Sequence, residues 1–122
     1  MCLTLSGTLN WNDGQQRTFD QIIFSAQGQP VRTRASLMDC YPEEIVDRIS
    51  FDYKWEENGP TYTVQLRRNG GEFSGSSHTS AGPTNEDIRC RLYRRTDQEI
   101  LLLGRWIDGK DHFEWRAIIA ID

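Results

Sequence analysis

The chain has 122 residues, 37% of them hydrophobic, and a formal net charge of −4 at pH 7. That length is the size of one domain, and the apolar fraction supports one core beneath a polar surface. An acidic balance argues against a dedicated nucleic-acid or anionic-membrane binder, and no apolar run is long enough to cross a bilayer as a helix.

The opening stretch, MCLTLSGTLNW, has neither a basic start nor a long apolar segment, so no secretory signal is expected. Cys2, Cys40 and Cys90 are odd in number, widely spaced and without a CxxC. Metal or redox chemistry therefore has no spacing to rest on. Free thiols in a reducing cytoplasm are expected, with Cys90 as a small buried hydrophobe.

In chain order, Leu3, Leu5, Gly7, Leu9 and Trp11 alternate with Thr4, Ser6, Thr8 and Asn10, which predicts a half-buried strand over 2–11. Asn12-Asp13-Gly14 is a turn. Residues 16–24 follow as a second strand, where consecutive Ile22, Ile23 and Phe24 suggest cover on both faces. Residues 25–44 form a long connection. Within it, Gln27 to Pro30 is loop-like, 31–37 alternate weakly as a short strand would, and Pro42-Glu43-Glu44 suits the first turn of a short helix. A connection of that length packs as a cover or carries function.

Ile49, Phe51, Tyr53 and Trp55 share one face of the next strand. Asn58-Gly59 and Asn69-Gly70 are hairpin signals, because Asn and Gly accept the positive φ that a type I′ turn demands. Two-residue turns there set Trp55 against Tyr62, Tyr53 against Val64 and Phe51 against Leu66. They then set Leu66 against Phe73, Val64 against Gly75 and Tyr62 against Ser77, with Arg67 facing Glu72 outside. Residues 79–85 are a flexible loop by composition. Ile88, Cys90 and Leu92 then alternate with Arg89, Arg91 and Tyr93.

The last hairpin turns at Asp108-Gly109. Ile100, Leu102, Gly104 and Trp106 share a face with Phe113, Trp115, Ala117, Ile119 and Ile121. A two-residue turn puts Gly104 opposite Phe113 and Leu102 opposite Trp115; a four-residue turn changes the partners but keeps the parity. Gly104 inside a strand marks a bend, or an aromatic lying over bare backbone.

A meander this long would leave two exposed edges, and closure removes them. The expected fold is an all-β, single-domain antiparallel up-and-down barrel of about eight strands, in which 2–11 pairs with 112–121. The layout resembles the calycin group: lipocalin-like, fatty-acid-binding-like and avidin-like barrels. The resemblance covers most of the chain but rests on no specific motif. Lipocalins carry Gly-x-Trp on their first strand, where this chain reads Gly7-Thr8-Leu9, while Gly104-Arg105-Trp106 has those letters on the seventh. The group implies a ligand held in the barrel, by analogy of layout alone.

Strand direction then assigns the ends. Trp11, Trp55 and Trp106 converge on one mouth together with Tyr62, Ser77, Ile88 and Phe113, and 79–85 lies there as a lid. The candidate ligand-binding residues are Trp11, Tyr53, Trp55, Tyr62, Ser77, Trp106, Phe113 and Trp115, an aromatic-lined mouth for a small, partly apolar or aromatic ligand. The same residues could instead form a solid aromatic plug. In that case the outer surface acts, either through an Arg89/Arg91/Arg95 stripe or through a sheet edge pairing in a homodimer.

No catalytic group, metal ligand or cofactor site is expected. His78 and His112 fall on outward positions with no nucleophile beside them, and Asp111 is the nearest inward carboxylate. NGGEFSG is a hairpin and not a phosphate loop. An enzyme remains the third possibility, since barrel pockets can lack motifs.

Overall fold

The computed structural model describes residues 5–19, 21–32 and 45–121. The helix expected at 42–44, most of the strand expected at 31–37, and Cys2 and Cys40 lie outside the described residues. Eleven strands are described, not eight: β1 (Leu5–Trp11), β2 (Gln16–Thr18), β3 (Gln21–Ala26), β4 (Gln29–Pro30), β5 (Arg48–Lys54), β6 (Thr61–Asn69), β7 (Glu72–Thr79), β8 (Gly82–Pro83), β9 (Glu86–Thr96), β10 (Glu99–Asp108) and β11 (Asp111–Ile121). The additional strands are short. The expected strand 16–24 is divided into β2 and β3, while β4 and β8 are two-residue returns folded onto β3 and β7.

All strands belong to one antiparallel sheet of order β2-β1-β11-β10-β9-β7-β6-β5-β3-β4, with β8 on β7. The sheet is curled. The first and last long strands pair as expected, from Leu5 with Ile121 to Trp11 with Trp115. The order ends in β2 on one side and in β3 with its β4 return on the other, and β2 and β3 follow each other in the chain: β2 pairs β1 and β3 pairs β5. Between them the Phe19 N–H donates to the Gly7 carbonyl at 3.2 Å, and the Phe19 ring meets Phe51 at 5.0 Å, edge to face. The seam of the barrel is thus crossed by the chain itself.

Parity holds through the core. Leu9, Phe24, Ile49, Phe51, Val64, Leu66, Phe73, Ile88, Leu102 and Ile119 are at most 1% exposed, and their chain neighbours face outward. Ile23, between buried Ile22 and Phe24, is only half-buried, so β3 alternates and is not covered on both faces. Val46, fully buried, stoppers the end of the barrel opposite Trp11. Burial, and secondarily the Glu72 carboxylate, push the Cys90 thiol up to about 12. That is the behaviour expected of a buried small hydrophobe.

At the three hairpins with expected partners, the registers differ by two residues from those of two-residue turns. Tyr53 pairs with Tyr62 and Phe51 with Val64; Leu66 pairs with Gly75, Val64 with Ser77, and Glu72 with Asn69 in place of Arg67; Trp106 pairs with Phe113 and Gly104 with Trp115. The turns explain the shift. Gly70 and Gly109 have φ of 65° and 62°, and each is the first of the two central residues, ahead of Gly71 and Lys110. Positive φ at the first central position alone is the type II′ pattern, so the loop moves one residue along from the type I′ placement at Asn69-Gly70 and Asp108-Gly109. At 55–60 a wider loop replaces the tight turn. A two-residue shift preserves parity, which is why the inward apolar residues stayed inward. Gln27 and Gly28, loop-like in the sequence, both have positive φ and form a tight turn from β3 into β4.

At Gly104 the neighbouring strand comes too close for a side chain. A Cβ there would fall on the Arg89 carbonyl oxygen and lie 2.6 Å from the Cys90 Cα. These are backbone atoms that cannot rotate aside. Gly104→Ala is therefore expected to lose roughly 1–3 kcal/mol or more, read from urea midpoints. Gly71→Ala, with open space around its Cβ, should stay close to the parent; equal midpoints for the two variants would refute the close approach.

Candidate functional site

The mouth is built from the ends of six long strands, β1, β5, β6, β9, β10 and β11. Trp11 closes β1; its ring meets Trp55 at 5.2 Å, Trp106 at 5.3 Å and Tyr53 at 5.8 Å. The cross-strand partners Tyr53 and Tyr62 stack at 5.4 Å and 18°. Trp55 lies just beyond β5 in the 55–60 loop and is 38% exposed. Its backbone carbonyl accepts a bond from Arg17 Nε at 2.9 Å, and the Arg17 guanidinium sits over its ring at 4.2 Å. Edge-to-face contacts dominate among the indoles, the arrangement their quadrupoles favour.

These rings surround a cavity of about 400 Å³, lined by Trp11, Tyr53, Trp55, Tyr62, Trp106 and Phe113 together with Asp13, Thr84, Glu86 and Asp108. Its size falls within the range of roughly 300–1,000 Å³ typical of small-molecule pockets. The three tryptophans converge as expected, and six of the eight candidate residues line the cavity. Ser77 is 1% exposed and touches the site through Glu86, not the cavity wall.

Trp115 belongs to the core below the mouth. It is 3% exposed, meets Trp106 at 5.5 Å and Phe51 at 6.0 Å, and donates its indole N–H to the Arg89 and Arg105 carbonyls at 3.1 and 3.2 Å. Its place opposite Gly104, two residues deeper than Phe113, accounts for this. His78 and His112 are both exposed and outside the lining.

Sequence reasoning missed the carboxylates. Asp111 is exposed and does not line the cavity; Glu86, Asp108 and Asp13 do. Glu86 shares the parity of Ile88, Cys90 and Leu92, so extending that alternation two residues back would have found it. Asp108 likewise continues the series 102, 104, 106. Glu86 Oε1 accepts from Ser77 Oγ at 2.5 Å and Thr84 Oγ1 at 3.0 Å, while Oε2 accepts from Trp106 Nε1 at 2.5 Å. The Ser77 and Thr84 hydroxyls are also hydrogen-bonded to each other. Hydrogen bonds to a carboxylate are among the stronger ones, so Glu86 ties β7, β9 and β10 together at the mouth.

The 79–85 segment makes this possible. It does not hang free as a lid. Pro83 and Gly82 pair back onto His78 and Thr79, the Thr84 N–H donates to the Ser77 carbonyl at 3.1 Å, and Asn85 at φ 64° turns the chain into β9.

The electrostatics are one-sided. Burial first, then the Glu86 and Tyr62 groups and Asp108, push the Tyr53 phenol far above its ordinary value; Arg17 opposes them. Desolvation, then Glu86 and Asp111, raise the Asp108 carboxyl. An acid with a raised folded pKa binds more protons folded than unfolded between its two pKa values. Asp108 therefore contributes a stability that is present at acid pH and lost as pH climbs through that window. Asp108→Asn is accordingly expected to be more stable than the parent at neutral pH, with the gap narrowing as pH falls toward about 4. Urea midpoints at the two pH values check this, and a gap that widens on acidification would contradict it.

The sequence matches no family model and no curated protein. Among solved structures, the chain is similar to a redesigned β-barrel, at a TM-score of 0.57 and 11% identity, over 95% of this chain and 86% of that one. At that identity the likeness concerns the fold alone, and it is the fold of a β-barrel.

Proposed function

We propose that this barrel binds one small, partly apolar ligand at its aromatic mouth, without catalysing a reaction. The carrying observation is the cavity of about 400 Å³ walled by six aromatic rings with a few inward polar groups. That combination is the usual make-up of a small-molecule site. The calycin-type layout supports the same reading by analogy, since barrels of that group hold ligands within the strands. Binding without turnover is read from the exposed positions of both histidines outside the cavity and from Ser77, whose buried hydroxyl is bonded to Glu86 and lies off the cavity wall. A cytoplasmic location belongs to this reading and rests on three unpatterned cysteines, of which Cys90 is a buried free thiol. Among the described residues no helix is long and apolar enough to cross a membrane.

Tryptophan fluorescence titrated with hydrophobic probes and a small metabolite panel tests the reading. At least one saturable shift is expected. Trp55→Ala should weaken that binding about tenfold, some 1.4 kcal/mol, while changing the urea midpoint little, because Trp55 lies beyond β5 and is partly exposed. Loss of the fold without selective loss of binding, or no saturable shift from any probe, would remove the pocket.

A second reading, docking through the outer face, has one specific observation in its favour. Tyr93 and Leu103 are 44% and 42% exposed, with Leu103 directly paired to Arg91 across the ladder. Of the arginine stripe, Arg89 is engaged by Asp87 and Glu72, and Arg95 by Glu99. Arg91 is then the residue to reverse. Under this reading Arg91→Glu changes the elution volume or abolishes capture of an acidic partner or a second copy; unchanged sizing and unchanged partner capture would eliminate it.

A further inference from the structure

We propose that the ligand is a small organic cation, a quaternary or tertiary ammonium compound, held against the indole and phenol rings of the mouth with its charge facing Glu86 and Asp108. This rests on the reading of the mouth as a ligand pocket and goes further by naming the ligand's charge. Aromatic walls alone would suit a neutral apolar molecule equally well. The sign comes from the polar part of the lining, which holds Asp13, Glu86 and Asp108 and no lysine, arginine or histidine.

The carboxylate charge is not paired within the lining, and one cation, Arg17, stands at the rim over the Trp55 ring. The three groups that donate to Glu86 are neutral: two hydroxyls and an indole N–H. Among the described residues neither Glu86 nor Asp108 takes part in an ion pair. An anionic ligand would meet three like charges, and a neutral one would leave the carboxylates uncompensated in a partly desolvated site. Burial is the first cause of the raised Tyr53 and Asp108 groups, and the Glu86 carboxylate adds to both.

The rings are suited to a cation in their own right. Aromatic faces carry negative quadrupole density, and cages of such rings are how alkylammonium groups are recognised. The Trp106 indole N–H is bonded to a carboxylate at 2.5 Å, which polarises the ring toward a more electron-rich face. The rim already holds one such contact. The Arg17 guanidinium lies 4.2 Å from the centroid of Trp55, kept there by donating to the Trp55 and Gln16 carbonyls at 2.9 and 2.6 Å. A bare metal ion fits less well, because hard cations require several oxygen ligands converging at short range. Among the described residues no three His, Cys, Asp or Glu groups are placed to hold one.

The test uses the full chain and probes matched in shape. Tryptophan fluorescence and calorimetry are run with choline, with 3,3-dimethylbutan-1-ol (the same outline with carbon in place of nitrogen) and with benzyltrimethylammonium. The expected result is that at least one ammonium probe binds saturably, choline about tenfold more tightly than the alcohol, in line with a desolvated cation–π contribution. Asp108→Asn and Glu86→Gln should each cut ammonium affinity roughly three- to tenfold, with no change for the alcohol. Should Glu86→Gln disturb the fold through its Ser77 and Trp106 contacts, Asp108→Asn at the exposed rim carries the test alone. Equal affinity for choline and the alcohol, or panel compounds binding while both ammonium probes fail, overturns the charge assignment and leaves the pocket standing. Failure of every probe and every panel compound takes both readings down.

Discussion

At Gly104 two neighbouring backbones approach so closely that a single methyl group would not fit, and the geometry of the barrel depends on that approach. The bare backbone there is covered from the adjacent strand by the Trp115 indole, whose N–H donates to the carbonyls of Arg89 and Arg105. An aromatic lying across a strand glycine supplies the packing that the glycine lacks, and the bend the glycine permits brings strands round toward closure. Gly7 and Gly75 show the same close approach to Ile118 and Gln65. The close approach thus recurs around the sheet, and the seam where β2 leaves β1 and β3 joins β5 is bridged by Phe19 and by Arg17.

The mouth inherits its rigidity from that bend. Trp115 sets the position of Trp106, which it meets nearly at right angles, and Trp106 in turn is fixed at its far end by Glu86. Glu86 reaches this place because β8 folds back on β7 and delivers Thr84 beside Ser77. Packing below and hydrogen bonding above therefore hold one ring between them. The resulting pocket combines an aromatic wall with Glu86 and Asp108, which form no ion pair among the described residues, because the inward positions at this end of the sheet carry both rings and acids.

Toward the opposite end Val46 is fully buried, and Ile49, Leu66, Ile100 and Ile119 are at most 1% exposed, so aliphatic side chains pack this part of the barrel. The cavity of about 400 Å³ lies at the other end, among the rings of the mouth.

Much of this was legible in the order of residues alone. Side chains alternate across a strand regardless of partner, so which residues face inward, the all-β class, the pairing of the first strand with the last and the convergence of Trp11, Trp55 and Trp106 could be read without coordinates. Registers could not. Whether Gly109 is the first or the second residue of its turn moves every partner by two while leaving each face unchanged, and local sequence satisfies both choices. Depth was hidden for the same reason: Trp115 and Phe113 have one parity, but only the realised register sends Trp115 under the mouth and leaves Phe113 on its wall. Parity turns Glu86 and Asp108 inward, but only the folded-back β8 and a long β10 bring them from separate parts of the chain to one cavity. Their charges act through space, and through-space neighbours are what tertiary structure alone decides.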